Sequence, residues 1–195
     1  MKLSVCIATI PERAEMFSAL LDLLGRTSTS WQLVVDDRPR GTVSIGAKRQ
    51  AMVEECTGDY IVHLDDDDLV PPDYIATILK ALESNPDCVG HFELVEGHGQ
   101  IPLIAKWTKD APGWVSGAQA MRQKVAYLRT PFHKTPIRAD IVRAIGFKDM
   151  HFGEDKDFSD RLRQARIIKT EVFIPRVLYT YRYTHEDHNT KYGIS

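Results

Sequence analysis

Apolar residues recur along the first half of the chain in two alternating rhythms. Leu3 to Ile10 (LSVCIATI) is a short apolar run rich in β-branched residues and closed by Pro11, which predicts a buried strand. From Glu12 to Leu24 the positions Met16, Phe17, Leu20, Leu21 and Leu24 follow helical spacing. Trp31 to Val35 (WQLVV) is a second strand, ended by Asp36-Asp37 and Pro39. Ser44 is placed to cap a helix over Ile45 to Cys56, with Gly58 after its end. Tyr60 to Leu64 is a third strand, and Pro71-Pro72-Asp73 opens a helix with Tyr74, Ile75, Ile78, Leu79 and Leu82 on one face. The alternation β-α-β-α-β-α predicts an α/β fold, with a mostly parallel central sheet sandwiched between helices.

The second half is less regular. Val89 to Val95 reads as a strand, and Gly97 to Gly117 as loops and edge strands rich in Gly, Pro and Trp. Helices are expected over Ile137 to Ile145 and Asp157 to Ala165, and closing strands over Ile167 to Ile174 and Val177 to Tyr183. No repeat, linker or low-complexity segment interrupts the 195 residues, so one domain is expected over 1–195.

The three parallel strands end in Thr9, Asp36-Asp37 and Asp65 to Asp68. In a parallel sheet these ends share one edge, where α/β folds place ligands. Four consecutive carboxylates repel one another, and their joint ionisation calls for a cation among them. Asp65 and Asp67 sit two apart and face the same way on an extended chain. Such a pair suits a Mg²⁺ or Mn²⁺ ion whose remaining ligands are water and phosphate oxygens. An acidic surface turn is the plain structural alternative. A second acidic knot, Gly153-Glu154-Asp155-Lys156-Asp157, precedes the apolar positions Phe158 and Leu162. One carboxylate there is explained by a helix N-terminus. Three are better explained if one serves as a general base. His185-Glu186-Asp187-His188 offers further metal ligands near the C-terminus, or a solvated tail.

Composition narrows the picture only a little. The net charge of −2 makes no electrostatic case for a nucleic-acid or membrane partner for the molecule as a whole. Between Gln100 and Met150, however, nine basic residues stand against three acidic ones, which reads first as ordinary solvated helix and loop charges and, as the lesser alternative, as a face meeting an anionic partner. Cys6, Cys56 and Cys88 have no metal or redox spacing. No stretch approaches the ~20 apolar residues of a membrane span, and the N-terminus lacks a signal-peptide pattern. A cytoplasmic protein is expected.

Four segments resemble family 2 glycosyltransferases of the GT-A fold. SVCIATIPER resembles their first strand and nucleotide-binding turn (SVIIPTYNR), and WQLVVDDR their second strand with paired aspartates. KRQAMVEECTGDYIVHLDDDDLVPPDYI resembles the ARN…A-TGDYI-FLDxDD…P-YL block, and IGFKDMHFGEDKDFSDRL the GGF…GED-D---RL segment. The resemblance implies a metal-dependent transfer of sugar from a nucleotide-sugar, with a UDP-sugar favoured, by single displacement with inversion. It places the nucleotide in the half 1–90 and the acceptor and base in 91–195. Thr9, with Pro11 and Arg13 in the same turn, would line the nucleotide pocket, Asp37 would accept from the base, and Arg49 would lie beside the nucleotide. Asp65 and Asp67 would frame Mn²⁺ or Mg²⁺, with Asp66 towards the ribose and His185 or His188 completing the metal shell. Asp155, with Glu154 as competitor, matches the catalytic base. Ile10-Pro11-Glu12 departs from the family's Tyr-Asn.

The acceptor is expected against Val95 to Lys134, where Trp107, Trp114, Tyr127 and Phe132 offer ring faces. A glycan or another hydroxyl-bearing molecule fits, and the local positive charge admits an anionic one, modified DNA included. Two other readings remain. A haloacid-dehalogenase-type phosphatase would use Asp65 and Asp67 in DxDx(T/V), although Leu69 stands where Thr or Val is needed. A non-catalytic nucleotide-sugar-binding module would keep Asp65 and Asp67 but have no use for Asp155.

Overall fold

The computed structural model describes residues 1–25, 30–97 and 101–182. Strand β1 (Leu3–Ala8) pairs in parallel with β2 (Trp31–Asp36) on one side and β3 (Tyr60–Asp65) on the other. Its register sets Ala8 opposite both Asp36 and Asp65, so the three polar strand ends do meet at one edge. Side chains alternate between two buried faces, as a covered parallel sheet requires. Val5, Ile7, Val62 and Leu64 pack with helices α1 (Ala14–Leu24) and α3 (Tyr74–Leu82). Cys6 and Ile61 pack on the opposite side with α2 (Ile45–Glu55), where Met52 and Val53 are buried.

Local chemistry sets the element ends. Pro11 opens a 3-10 turn over Pro11–Arg13 that leads into α1. Ser44 caps α2, its hydroxyl accepting from the Ala47 amide at 3.0 Å. Gly46 lets α2 press against the segment before the second acidic knot: a Cβ there would lie 1.9 Å from the Lys148 carbonyl oxygen. Gly58 allows a comparable approach to β1, where a Cβ would lie 2.7 Å from the Ser4 amide nitrogen.

The sheet continues into the second half through β4 (Cys88–Glu96), β5 (Leu103–Trp107), β6 (Val115–Ser116), β7 (Tyr127–Arg129), β8 (Ile137–Arg138) and β9 (Glu171–Arg182). Strand β8 bridges β3 and β4 in antiparallel fashion, so the nine strands among the described residues form one sheet. Parallel pairing also joins β4 to β9 and β5 to β7, while β4–β5 and β6–β7 are antiparallel. The short helix α4 (Ala118–Met121), α5 (Ala139–Ile145) and α6 (Glu154–Ala165) complete the fold.

Three expectations shift. Ile137 and Arg138 belong to β8, and the helix predicted from Ile137 begins at Ala139. The last helix begins three residues earlier than predicted, at Glu154. The two closing strands are one strand, β9, and the register with β4 slips on either side of Phe92. Pro175 has no N–H to offer a ladder, and the irregularity absorbs it without ending the strand.

Candidate active site

The four aspartates from the last residue of β3 onward divide by exposure. Asp65 and Asp67 remain partly open, with side-chain exposures of 27% and 17%, whereas Asp66 and Asp68 are buried at 3% and 1%. Each inward carboxylate is satisfied from elsewhere in the chain. Asp66 accepts from the Thr9 hydroxyl at 2.7 Å and from Arg13 at 2.8 Å. Asp68 accepts from Lys134 Nζ at 2.8 Å, the Tyr179 hydroxyl at 2.7 Å and the Arg182 amide at 2.9 Å. Burial pushes the Asp68 carboxyl up to about 6 despite Lys134.

The cation that four carboxylates call for is therefore supplied in part by the protein itself. Arg13 reaches Asp67 at 2.9 Å as well as Asp66. Lys134 lies 3.3 Å from Asp65 and 3.6 Å from Glu93, with the Tyr179 and Tyr181 rings beneath it. Burial works against its charge, but Asp68, Asp65 and Glu93 outweigh burial and raise its pKa. Burial likewise opposes ionisation of Asp65, yet Lys134 and Arg49 hold its carboxyl well below the usual range. The Asp65 amide donates to the Tyr179 hydroxyl at 3.1 Å, which fixes the strand end.

Arg49 connects the two acidic knots. Its Nη2 lies 2.9 Å from Asp65 and its Nε 3.2 Å from Glu154, at the first residue of α6. Burial disfavours its charge, but Asp65 and Glu154 more than compensate, so its pKa is raised. Its Nη1 is buried with no hydrogen-bond partner among the described residues. Glu154 is thereby turned inward, and burial raises its carboxyl against the pull of Arg49. Asp155, next on the helix, stays half-buried, and one of its oxygens accepts from the Lys156 amide at 2.7 Å. Asp157 is spent on Lys148 and Arg161.

Thr9, Arg13, Arg49 and Asp65 to Asp67 thus come together, and Pro11 shapes the turn that carries Arg13. Asp37 is exposed at the end of β2. Its neighbour Asp36 is buried, ion-paired with Arg38 and 3.7 Å from Lys48. His185 and His188 lie outside the described residues.

Sequence reasoning assigned no role to several residues that build this edge. Lys48, buried beside Arg49, donates to the Thr9 carbonyl at 2.8 Å and so holds the first strand's end. His133 approaches Asp65 at 3.4 Å and is neutral near pH 7, because burial and Arg49 push it down to about 4. Lys134 and Tyr179 complete the set. The only local signal for Lys48 was its place next to Arg49. His133 and Lys134 sit in a Pro-bounded loop (PFHKTP) that carries no pattern.

No curated protein matches the chain. Among solved structures it is similar to S. aureus TarS, with a TM-score of 0.66 and 12% identity over 98% of this chain and 38% of that one. A TarS structure in complex with UDP-GlcNAc gives a TM-score of 0.66 and 12% identity over 95% of this chain and 59% of that one. One in complex with UDP gives 0.64 and 13% over 98% and 63%. At such identity the likeness shows a shared fold, and the chain spans less than two thirds of the TarS chains it matches. A model of glycosyl transferase family 2 matches residues 15–148, which takes in β2, β3 and the acidic run. That match covers well over half of the sequence, and the chain belongs to glycosyl transferase family 2.

Proposed function

We propose that this domain transfers a sugar from a nucleoside-diphosphate sugar, favouring a UDP-sugar, to an acceptor hydroxyl. The observation that carries the proposal is the bridge from Asp65 through Arg49 to Glu154. It brings the strand-end carboxylates and the N-terminus of α6 into one site, with Asp155 beside them. Family membership and the likeness to TarS structures holding UDP and UDP-GlcNAc support the donor class.

Asp155 is the better general base of the two candidates. Glu154 is committed to Arg49 in the interior, whereas Asp155 remains accessible to an acceptor hydroxyl. In the proposed step the acceptor oxygen attacks the anomeric carbon, its proton passes to Asp155, and the bond to the diphosphate oxygen breaks. Inversion follows from a single displacement. Arg49 positions Asp65 and Glu154 for this step, and Thr9 and Arg13 hold the Asp66 side of the donor turn.

A divalent cation, Mn²⁺ or Mg²⁺, fits the donor set. Asp65 and Asp67 are the two partly open carboxylates of the run. Two protein carboxylates suit an ion whose other ligands are diphosphate and water oxygens. Among the described residues no group of three or more His, Cys, Asp or Glu is arranged as a closed cage. When bound, the ion would supply positive charge to the departing nucleoside diphosphate.

The test is nucleotide-sugar hydrolysis across UDP-, GDP-, CDP- and dTDP-sugars, with and without Mn²⁺, using Asp67→Ala as control. Metal-dependent release of one nucleoside diphosphate, lost in the variant, is expected. No turnover together with no Mn²⁺-dependent nucleotide binding would overturn the proposal.

A further inference from the structure

Four cations of the basic stretch between Gln100 and Met150 already have acidic partners. Lys134 is buried against Asp68, Arg138 pairs with Asp87 and Asp140, Lys148 with Asp157, and Lys109 with Asp110. Arg129, at the end of β7, differs from these. Its guanidinium carbon lies 3.8 Å from the centroid of Trp114, 4.5 Å from Trp107 and 4.8 Å from Phe132. Its carbonyl accepts from the Thr108 amide at 3.0 Å, but no hydrogen bond joins its guanidinium to another described residue.

Aromatic rings stabilise the faces of a guanidinium but leave its in-plane N–H edge unsatisfied. The Arg129 nitrogens are not sealed from solvent, unlike Nη1 of Arg49. The result is a charged group held among three rings, with side-chain donors that no described residue accepts. Burial lowers its pKa, though an arginine so placed keeps its proton at neutral pH.

Its position matters as much as its state. The Thr130 hydroxyl, next in the chain, lies 2.9 Å from that of Ser159, which also donates to the Pro131 carbonyl at 3.1 Å. Ser159 sits one helical turn beyond Asp155 on α6, so β7 is stapled to the helix that carries the proposed base. The carboxylates of Asp155 and Glu93 act on Arg129 electrostatically. Trp114 packs on the guanidinium yet remains 61% exposed, leaving ring surface for a further contact. The donor-side aspartates, by contrast, already have Arg13, Arg49 and Lys134.

The geometry points to Arg129 as a specificity-determining residue. Its fork binds an oxyanion, phosphate or carboxylate, borne by the acceptor, and Trp114 offers a ring face to the sugar carrying that group. The inference rests on the proposed glycosyl transfer for the word acceptor, but the anion site can be tested without turnover.

The experiment titrates the full chain with glucose 6-phosphate, methyl glucuronide and neutral methyl glucoside, followed by NMR of the protein, and separately with UDP. Wild type, Arg129→Met and Arg129→Lys are compared after thermal denaturation shows which are folded. A charge-assisted fork predicts that at least one acidic sugar binds wild type about ten-fold tighter than methyl glucoside. The preference is expected to disappear in Arg129→Met, which keeps the stacked chain, and to survive in part in Arg129→Lys. UDP affinity is expected to stay within about two-fold of wild type in both variants, since ligands at separate sites couple weakly. Which acidic sugar is preferred identifies the anion as phosphate or carboxylate.

Equal binding of all three sugars, no binding of either acidic one, or a preference that survives in Arg129→Met would overturn the inference. So would a loss of UDP affinity in Arg129→Met, which would assign the fork to the donor diphosphate. Should Arg129→Met fail to fold, a preference undiminished in Arg129→Lys and in Trp114→Ala would overturn it instead. Absence of UDP binding in wild type with the acid preference intact would count against glycosyl transfer and leave the anion site standing.

Discussion

The proposed donor edge and the proposed acceptor side are built from the same sheet by different means. On the donor edge, three parallel strands bring Thr9, Asp36 and Asp65 to one line by register alone. On the proposed acceptor side, the short strand β7, parallel to β5 and antiparallel to β6, carries Arg129 among aromatic rings, and a Thr130–Ser159 hydrogen bond ties the residue after it to a helix. The first arrangement follows from local pattern and parallel topology. The second depends on contacts between segments far apart in sequence. Even the donor edge is completed from the second half, since Lys134, Tyr179 and Arg182 satisfy Asp68.

The sharpest way to separate the two regions is Asp155→Asn. It should lower transfer by about 10²–10⁴-fold, the usual contribution of a general base. UDP affinity, measured by calorimetry, should be unchanged. A variant with full activity would remove Asp155 from the base role and favour a binding module or another residue. Loss of UDP binding would mean that the second acidic knot serves the donor.

Lys134→Met tests how far the donor edge leans on the second half. It strands Asp68 in the interior and withdraws a partner from Asp65 and Glu93. Removing one member of a buried ionic network typically costs about 3–5 kcal/mol. Urea denaturation at pH 7 should show a loss of that order. A change within about 0.5 kcal/mol, the range of ordinary surface substitutions, would show that the network contributes little.

Asp87→Asn probes the junction between the halves with a smaller effect. Asp87 accepts from the Lys169 amide at 2.7 Å and the Thr170 amide at 2.9 Å, and pairs with Arg138 at 2.9 Å. Burial opposes its ionisation, but the two amides and Arg138 prevail and depress its pKa. A depressed folded-state pKa gives stability that is present above the unfolded value of about 3.9 and lost as pH falls through the folded one. The variant should therefore be destabilised by about 1.5–3 kcal/mol at pH 7. Its gap from wild type should narrow in acid, as read from urea midpoints at pH 7 and pH 3. A gap that stays constant with pH would contradict this assignment.

Much of the first half was legible because its signals are local. Ser44 caps the helix it was expected to cap, whereas Asp66 to Asp68 form a turn, so the partial exposure of Asp65 and Asp67 is not a matter of strand alternation. The strand ends converge because parallel βαβ units allow little else. What escaped was charge compensation. Nothing near Lys134 or Tyr179 in sequence announces Asp68, since the pairing spans 66 and 111 positions. Pattern also misled at Pro175, where a proline that reads as a break lies inside one irregular strand. Counting charges in the basic stretch could not show that Lys109, Arg138 and Lys148 each have an acidic partner close in sequence.

The central claim is a metal-assisted nucleotide site at the open pair Asp65 and Asp67. UDP binding measured by calorimetry, with and without Mn²⁺, in wild type and Asp67→Ala tests it most directly. The account predicts that Mn²⁺ tightens UDP binding to wild type by at least about ten-fold, or about 1.4 kcal/mol, and has little effect on the variant. UDP binding that ignores Mn²⁺, or an Asp67→Ala protein that responds to Mn²⁺ as wild type does, would contradict it.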